Sequence, residues 1–251
     1  MTLPKLEIYA MKDNYGKMSV KKRSTFDLPM RILVVGKSML SGKSTVVANM
    51  LCRPYDDSDV AGNQFYRDDF EGENIYVVSP SVNVDKKWQS IVAGKDIPTG
   101  NIYSEYDEEL LERLYDKLEM EHYDEEATGE YKQKLVIFDD VSFSGAFKEK
   151  IHGVMAKFFC NGRHFGISVI VTAQKLSQLS TVMRENCTGM IMFACSNKQS
   201  ELLYNDVGTQ TKKEFMQMLT KATCKKHSFM VINYSNDHEE RFLNQNFQLI
   251  E

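Results

Sequence analysis

The chain has 251 residues, of which 42% are hydrophobic and 26% charged, a composition typical of a soluble globular protein with one large or two small α/β domains. Its formal net charge of −4 gives no overall attraction to nucleic acid, so a DNA-binding surface requires a local group of Lys and Arg residues. Five scattered cysteines argue against a disulfide framework or a zinc site. The sequence has neither a signal-peptide pattern nor an apolar run long enough to cross a membrane, which predicts an intracellular protein without a membrane span.

Residues 1–28 are predicted to be an irregular lead-in segment, after which strands and helices alternate. Short apolar runs rich in β-branched residues predict buried strands, and apolar residues at helical spacing predict amphipathic helices. The predicted strands are residues 31–35, 75–78, 135–138, 167–172, 190–193 and, as the final strand, 228–234. The predicted helices are residues 45–51, 108–121, 147–159 and 212–220.

The predicted strands are apolar along their whole length and are separated by helices. This pattern is typical of a parallel sheet that is covered by helices on both faces. We therefore predict an α/β fold with a central, mostly parallel sheet between helices, built as one domain over residues 29–251. Whether the part from about residue 205 to 251 forms a small appended subregion is left open.

A segment with the sequence GKSMLSGKST joins the first predicted strand to the first predicted helix. A strand, a turn and a Gly-Lys-Ser sequence that opens a helix predict a P-loop, whose backbone N–H groups and helix N-terminus bind phosphate. Lys43 is expected to contact the β- and γ-phosphates of ATP, and Ser44 to contribute its hydroxyl to Mg²⁺. The predicted nucleotide-binding residues are Gly36, Ser38, Ser41, Gly42, Lys43, Ser44 and Thr45.

The predicted P-loop departs from the usual spacing. The position at which the first glycine of the motif normally stands is occupied by Lys37, and Gly36 lies one residue earlier. The middle of the loop is Met39-Leu40, where small residues are more common. The longer loop leaves open a protein that binds nucleotide without turnover.

Polar side chains follow two later strands. Asp139 and Asp140 follow the strand at 135–138, and Gln174 follows the strand at 167–172. Because ligands of open parallel sheets bind at the carboxyl ends of the strands, we expect these side chains to face the P-loop. Asp139 is predicted to hold Mg²⁺ and Asp140 to orient and polarise the attacking water. Gln174 is predicted to hydrogen-bond the γ-phosphate or that water.

Two arginines are candidates for a residue that acts on the ATP of a neighbouring subunit. Arg163 lies in an Asn-Gly-Arg-His segment, and Arg184 lies in a Met-Arg-Glu-Asn segment. The guanidinium group is always charged, and it becomes functional here only when an adjacent subunit presents it to the γ-phosphate.

The candidate DNA contacts are lysines near the end of the chain and a basic cluster near its start. The late group is Lys212, Lys213, Lys221, Lys225 and Lys226, interleaved with Phe215 and Phe229. The early group is Lys21, Lys22 and Arg23. If DNA is a partner, contacts of this kind predict binding that weakens as salt increases.

Four segments, in this order, resemble one known family. They read RILVVGKSMLSGKST, IYVVSPSVNVDKKW, LVIFDDV and FFCNGRHFGISVIVTAQKLSQLSTVMRENCTGMIMF. Over residues 31–196 the chain resembles the viral genome-packaging ATPases of the poxvirus-type branch of the FtsK/HerA superfamily of P-loop NTPases. The last segment is the most specific, because it combines a Gly-Arg-His turn, an apolar strand that ends in Gln and an Arg-x-Asn-Cys sequence.

The resemblance implies a P-loop fold of the additional-strand, RecA-like type, with ATP and Mg²⁺ as cofactors. It implies ATP-driven translocation of double-stranded DNA into a preformed capsid by a pentameric or hexameric ring at a capsid vertex, in the host cytoplasm or associated with the virion. By the same resemblance, Lys43 and Ser44 take the phosphate and Mg²⁺ roles, and Asp139 supports the metal. Asp140 stands where many relatives carry glutamate, Gln174 is the sensor, and Arg163 is the better candidate for the trans-acting arginine.

Two other enzyme classes and one binding function are alternatives. A GTPase needs a guanine-reading Asn-Lys-x-Asp sequence, whereas residues 197–200 read Asn-Lys-Gln-Ser and lack the aspartate. A small-molecule kinase needs a mobile Arg-rich lid, and the sequence between the predicted strands contains no such cluster. The third alternative is a scaffold that binds nucleotide without hydrolysing it.

Overall fold

The computed structural model describes residues 25–38, 41–52, 66–141, 153–208 and 210–250. Its strands are β1 (Arg31–Val35), β2 (Ile75–Val78), β3 (Ile102–Tyr103), β4 (Lys134–Asp139), β5 (Ile167–Ala173), β6 (Gly189–Phe193), β7 (Phe229–Asn233) and β8 (Phe242–Leu243). Within the described ranges these strands form one sheet in the order β3-β2-β4-β5-β1-β6-β7-β8. The early basic cluster at residues 21–23 and the loop residues Met39 and Leu40 lie outside the described ranges.

The α-helices of the described ranges are α1 (Lys43–Cys52), α2 (Lys86–Gly94), α3 (Glu108–Thr128), α4 (Val154–Cys160), α5 (Thr181–Asn186), α6 (Asn197–Val207) and α7 (Lys212–Ala222). Three of them, α1, α3 and α7, correspond to predicted helices. The predicted helix at 147–159 is described only from residue 153 onward, where α4 lies. None of the helices in these ranges combines the length and apolarity that a membrane crossing requires.

Helices pack against both faces of the sheet, which explains why the strands are apolar throughout. Along β1, Leu33 and Val35 belong to one hydrophobic core, and Ile32 and Val34 belong to the other. The first core is formed with α3 to α7, and the second is formed with α1 and α2. Because successive side chains of a strand point to opposite faces, burial on both faces requires apolar residues at every position.

The strand order places β5 between β1 and β4, so that an additional strand separates the two strands that carry the P-loop and the paired aspartates. All of the pairings among β1 to β6 are parallel. This sheet, with helices on both faces, confirms the predicted additional-strand α/β fold. It also brings the carboxyl ends of β1, β4 and β5 to one edge of the sheet, where the predicted catalytic side chains meet.

The carboxyl-terminal part of the sheet departs from the prediction in two ways. The strand β7 pairs antiparallel with β6, and a further strand, β8, pairs antiparallel with β7. The prediction that the strand at 228–234 is the final strand is therefore wrong. The strand β8 is not apparent in the sequence because a strand of 2 residues is too short to produce a periodic pattern. The antiparallel direction has a consequence for the site, since the start of β7 lies at the same edge as the carboxyl ends of β1 to β6.

The close contact at Gly189 gives a test of this packing. A Cβ atom on Gly189 would collide with the ring of Phe26 and approach the carbonyl oxygen of Ile232 to 3.0 Å. Gly189→Ala is therefore expected to lower the free energy of unfolding by about 1–3 kcal/mol, the usual effect of overpacking a core. Urea denaturation measures the change. Gly100→Ala is the matched control, because a Cβ atom added at Gly100 has no neighbouring atom within 4 Å in the described part of the chain. Equal stabilities of the two variants would contradict this packing.

Candidate nucleotide-binding and catalytic site

The P-loop leaves the carboxyl end of β1 and ends where α1 begins at Lys43. The N–H of Gly36 donates to the carbonyl oxygen of Ala173 in β5 (3.0 Å), and the Ser41 hydroxyl donates to the carbonyl oxygen of Lys37 (2.8 Å). A Cβ atom on Gly36 would lie only 2.6 Å from the Cβ of Ser41. Glycine is therefore required at position 36, one residue before the position of the first glycine in the usual motif.

A second glycine of the loop is required by its backbone conformation. Gly42 has a φ of 97°, a region that side chains with a Cβ atom rarely adopt. The loop thus keeps the two glycines of a P-loop, although the distance between them along the chain is longer by one residue.

The Lys43 side chain lies inside the loop. It is 8% exposed, and its Nζ donates a hydrogen bond to the carbonyl oxygen of Gly36 (3.0 Å). Burial lowers the pKa of the Lys43 ammonium, and the nearby carboxylates of Asp140 and Asp139 oppose that shift. A buried cation on a backbone carbonyl can exchange this partner for the oxygen atoms of a phosphate, which is the role predicted for Lys43.

Asp139 is fixed at the end of β4 by hydroxyl groups from two neighbouring strands. Its Oδ1 accepts a hydrogen bond from Thr172 (2.6 Å), and its Oδ2 accepts from Ser79 (3.0 Å) and Ser81 (3.4 Å). Ser79 and Ser81 follow β2 and have no predicted role. The Ser-Pro-Ser sequence at the end of β2 is the feature by which they could have been found. It indicates contact with Asp139 only once β2 is known to lie next to β4.

Burial raises the pKa of Asp139, while the hydrogen bonds from Thr172 and Ser79 act in the opposite direction. The ionised carboxylate is therefore more costly in the folded chain than in the unfolded one, and stability falls as pH rises above the ordinary Asp pKa of about 4. Asp139→Asn is expected to raise the Tm of the metal-free protein at pH 7 and to reduce this pH dependence, while it weakens Mg²⁺-dependent hydrolysis.

Thermal unfolding in chelator at several pH values measures the first effect. Asp116→Asn on the exposed side of α3 is the matched control. A lower Tm for Asp139→Asn at neutral pH would show that the buried carboxylate stabilises the fold, contrary to this expectation.

Asp140 and Gln174 are joined directly. The Nε2 atom of Gln174 lies 3.0 and 3.2 Å from the two carboxylate oxygens of Asp140. The backbone of Asp140 is left-handed, with a φ of 52°, and its N–H donates to the hydroxyl of Thr172 (3.1 Å). Thr172 thus donates to the carboxylate of Asp139 and accepts from the backbone N–H of Asp140, so that it links the two aspartates, and Gln174 extends this array at the Asp140 carboxylate.

A cavity of about 770 Å³ connects the P-loop to this array. From the predicted set it is lined by Ser38, Ser41, Gly42, Lys43, Ser44, Thr45, Asp139 and Asp140. Lining residues without a predicted role are Val46, Asn49, Ser81, Asp85, Lys87, Phe193, His227 and Phe229. Gly36 and Gln174 line a neighbouring cavity of about 290 Å³ together with Lys37, Lys175 and Lys198.

The donors of this cavity fit a Mg²⁺ ion. Asp139 is a carboxylate fixed by three hydroxyl groups, and the Ser44 hydroxyl lines the same cavity at the start of α1. Mg²⁺ binds oxygen ligands and is usually held by one or two protein groups together with substrate phosphates and water. Ser44 and Asp139 match that ligand set in kind, and their assignment to the metal stays a prediction.

The two candidate arginines differ in their environment. Arg163 is exposed in the turn before β5, at the opposite end of that strand from Gln174. A strand of 7 residues spans roughly 23 Å, which places Arg163 far from the P-loop of its own subunit. Arg184 is paired with Asp206 and also donates to the carbonyl oxygen of Leu179 (3.3 Å). These contacts favour Arg163 as the residue that is available to a neighbour.

The lysines predicted to contact DNA lie on two exposed segments. Lys212 and Lys213 begin α7, where Lys212 pairs with Glu201 (2.7 Å). Lys225 and Lys226 are exposed in the turn before β7. The next residue, His227, places its Nδ1 atom 3.3 Å from the carbonyl oxygen of Ser41, so this turn contacts the P-loop directly.

The segment considered for guanine recognition lies away from the nucleotide cavity. Asn197 begins α6 and lines a separate cavity beside α7. Gln199 is held by Ser177, whose N–H donates to its Oε1 (3.1 Å). Lys198 and Gln199 line the neighbouring cavity with Gly36 and Gln174, so the argument against a GTPase is the missing aspartate of the guanine-reading sequence.

A sequence model of the poxvirus A32 protein family matches residues 72–244, more than half of the chain. The chain belongs to the poxvirus A32 protein family. This assignment confirms the resemblance to the poxvirus-type ATPases. The matched range includes the aspartate pair and Gln174 of this A32-family chain. It begins after α1, so the assignment of the P-loop rests on the sequence motif and on the geometry of the loop.

Two solved structures with the same fold come from Sulfolobus turreted icosahedral viruses. The genome packaging NTPase B204 from Sulfolobus turreted icosahedral virus 2, in complex with AMPPCP, is 12% identical, with a TM-score of 0.53, over 82% of this chain and 93% of that chain. B204, the DNA-packaging ATPase from Sulfolobus turreted icosahedral virus, is 12% identical, with a TM-score of 0.52, over 83% of this chain and 94% of that chain. At this identity the likeness establishes the fold of the A32-family chain. No curated protein matches the sequence.

Proposed function

We propose that this protein is an ATPase that drives double-stranded DNA into a viral capsid. The observation that carries the proposal is the convergence of Lys43, the Asp139–Thr172 contact and the Asp140–Gln174 contact at one edge of an additional-strand sheet. Membership of the poxvirus A32 protein family supports a viral packaging role. Structures with this fold include B204 proteins that are described as a genome packaging NTPase and a DNA-packaging ATPase, one of them bound to the ATP analogue AMPPCP.

Nucleotide binding follows from the P-loop. The triphosphate binds to the N–H groups of the loop and of the first turn of α1, and the Lys43 ammonium exchanges the Gly36 carbonyl for phosphate oxygens. Ser44 and Asp139 would hold Mg²⁺, which would supply positive charge to the triphosphate when bound. The hydroxyls of Thr172 and Ser79 keep the Asp139 carboxylate directed toward the cavity.

Hydrolysis requires a water in line with the γ-phosphate. The Asp140 carboxylate accepts a hydrogen bond from that water and polarises it for attack. Gln174 holds Asp140 through both carboxylate oxygens. In the sensor role that the family resemblance implies, its amide responds to the γ-phosphate. Lys43 stabilises the charge that develops on the transferred group.

The active form is a homo-oligomeric ring, either pentameric or hexameric, in which Arg163 of one subunit reaches the ATP of the next. Arg163→Ala and Lys43→Ala subunits are each expected to be inactive alone, whereas a mixture is expected to recover part of the ATP hydrolysis rate. The recovery comes from interfaces at which an Arg163→Ala subunit, with an intact P-loop, receives Arg163 from a Lys43→Ala neighbour. No recovery at any mixing ratio would contradict the action of Arg163 across an interface.

The DNA passes through the ring, where Lys212, Lys213, Lys225 and Lys226 contact its phosphates. The contact between His227 and Ser41 links the turn that carries Lys225 and Lys226 to the P-loop, so movement of DNA and nucleotide state are mechanically connected. The ring acts at a capsid vertex, at the assembly site in the host cytoplasm or in association with the virion.

Displacement of a third strand from a DNA triplex tests translocation. A protein that moves along double-stranded DNA releases the triplex-forming strand in the presence of ATP and Mg²⁺, and Lys43→Ala is the matched control. ATP-dependent release by the wild-type protein, absent in the control, supports the proposal. Hydrolysis of ATP without any release would exclude translocation and leave an ATPase of another kind.

A further inference from the structure

The nucleotide cavity has two chemically different ends. The aspartate pair follows β4, on one side of the P-loop strand β1, whereas Phe193, His227 and Phe229 belong to β6 and the start of β7 on the other side. Asn49 lines the same cavity from α1. We propose that Phe229 and His227 bind the adenine base of ATP and that Asn49 recognises its amino group. This inference rests on the proposed ATPase function and adds the residues that select the nucleotide.

The ring of Phe229 is held in a fixed orientation at this end of the cavity. Its centroid lies 5.3 Å from that of Phe193, with an interplanar angle of 62°. Phe193 is 2% exposed, whereas Phe229 is half-buried and also lines the cavity. A buried partner that contacts one side of an aromatic ring leaves another side for stacking on a flat base.

His227 closes the base end of the cavity against the P-loop. Its backbone is left-handed, with a φ of 66°, and its Nδ1 atom lies 3.3 Å from the carbonyl oxygen of Ser41. A non-glycine residue in this conformation is uncommon and indicates a position that the surrounding structure determines. The contact sets the imidazole beside the phosphate loop, in the same cavity lining as the ring of Phe229.

Asn49 supplies the polar group that distinguishes the bases. Asn49 is exposed, and its Nδ2 donates to the carbonyl oxygen of Thr45 (2.8 Å), one turn earlier in α1. The carbonyl oxygen of the same amide is then an acceptor for the amino group of adenine. Guanine has an oxygen atom at the corresponding position, which repels this acceptor.

The distance along α1 fits a nucleotide that extends from the P-loop to this end of the cavity. Asn49 lies six residues after Lys43, which corresponds to a rise of about 9 Å along the helix. Lys43 at the N-terminus of α1 marks the position of the phosphates, and Asn49 lies further along the same lined surface. The ribose then occupies the space beside Thr45 and Val46.

Binding measurements that separate the base from the phosphates test the proposal. We expect Phe229→Leu, which removes the aromatic face with little loss of volume, to weaken ATP binding about tenfold, in line with the loss of one base–aromatic stack. Its affinity for inorganic tripolyphosphate is expected to equal that of the wild-type protein. Tyr123→Leu, at an exposed aromatic residue of α3, is the matched control and should change neither affinity.

Asn49→Ala tests base selection separately. This variant is expected to reduce the ratio of ATP affinity to GTP affinity severalfold, because the acceptor for the amino group is lost. An unchanged ratio would overturn the role of Asn49. An unchanged ATP affinity of Phe229→Leu, or equal losses for ATP and tripolyphosphate, would overturn the base site itself.

The outcomes also distinguish this site from the proposed function. Failure of the wild-type protein to bind ATP or tripolyphosphate in a Lys43-dependent way would contradict the nucleotide site as a whole. Normal selective binding of ATP without DNA-dependent activity would leave the base site intact and contradict the motor function.

Discussion

Replacement of Lys43 by alanine is expected to lower the ATP hydrolysis rate at least about a hundredfold, since this ammonium is the cation that stabilises charge on the β- and γ-phosphates. The side chain is buried in the P-loop, where its hydrogen bond among the described residues is to the carbonyl oxygen of Gly36, and burial lowers its pKa. Its removal should therefore leave the fold intact while it removes catalysis. Steady-state phosphate release measures the effect.

The control for this substitution is Lys132→Ala. Lys132 pairs with Glu73 at 2.9 Å on the surface, and both side chains are at least half exposed. An exposed ion pair of this kind contributes little to stability, so the control should hydrolyse ATP at the wild-type rate. A Lys43→Ala protein that retains more than about a tenth of the wild-type rate would contradict the assignment of the P-loop.

The second large effect is expected at Asp140. Asp140→Asn should lower the rate of hydrolysis about 10²–10⁴-fold, the usual contribution of a general base, because the amide cannot accept a proton from the attacking water. ATP affinity should change little, since the carboxylate lies beyond the phosphate loop and acts on the water. Single-turnover hydrolysis combined with equilibrium binding of ATP separates the two quantities.

Asp116→Asn on α3 is the control for charge removal at Asp140, because Asp116 is exposed and remote from the cavity. If Asp140→Asn lost ATP affinity in proportion to its rate, the carboxylate would belong to the metal or phosphate site. If it kept a wild-type rate, another group would be the base.

The parts of the fold that were predictable are those in which local pattern and burial agree. The strands β1, β4 and β5 are continuous apolar runs, and their polar ends produced the prediction of Asp139, Asp140 and Gln174 as site residues. The structure adds that Thr172 bridges the aspartates and that Gln174 holds Asp140. These contacts depend on strand order, which a single sequence does not reveal.

The residues missed by the sequence analysis are brought to the site by elements without strong local patterns. Ser79 and Ser81 contact Asp139 because β2 lies beside β4. His227 and Phe229 reach the P-loop because β7 runs antiparallel to β6. The helix α2 was missed since only two of its residues, Trp88 and Ile91, are buried.

The choice between the two arginines also depended on tertiary contacts. Both stand in short polar segments that look alike along the sequence. In the fold, Arg184 is paired with Asp206, whereas Arg163 is exposed beyond the far end of β5. The role of Arg163 across an interface remains a prediction for the complementation experiment.

ATP hydrolysis that serves movement along double-stranded DNA should depend on that DNA. The most direct measurement is the rate of ATP hydrolysis with and without double-stranded DNA, at low and at moderate salt. We expect DNA to raise the rate severalfold and this stimulation to fall as salt increases, and we expect no hydrolysis by Lys43→Ala. A wild-type rate that is the same with and without DNA at both salt concentrations would contradict this dependence on DNA.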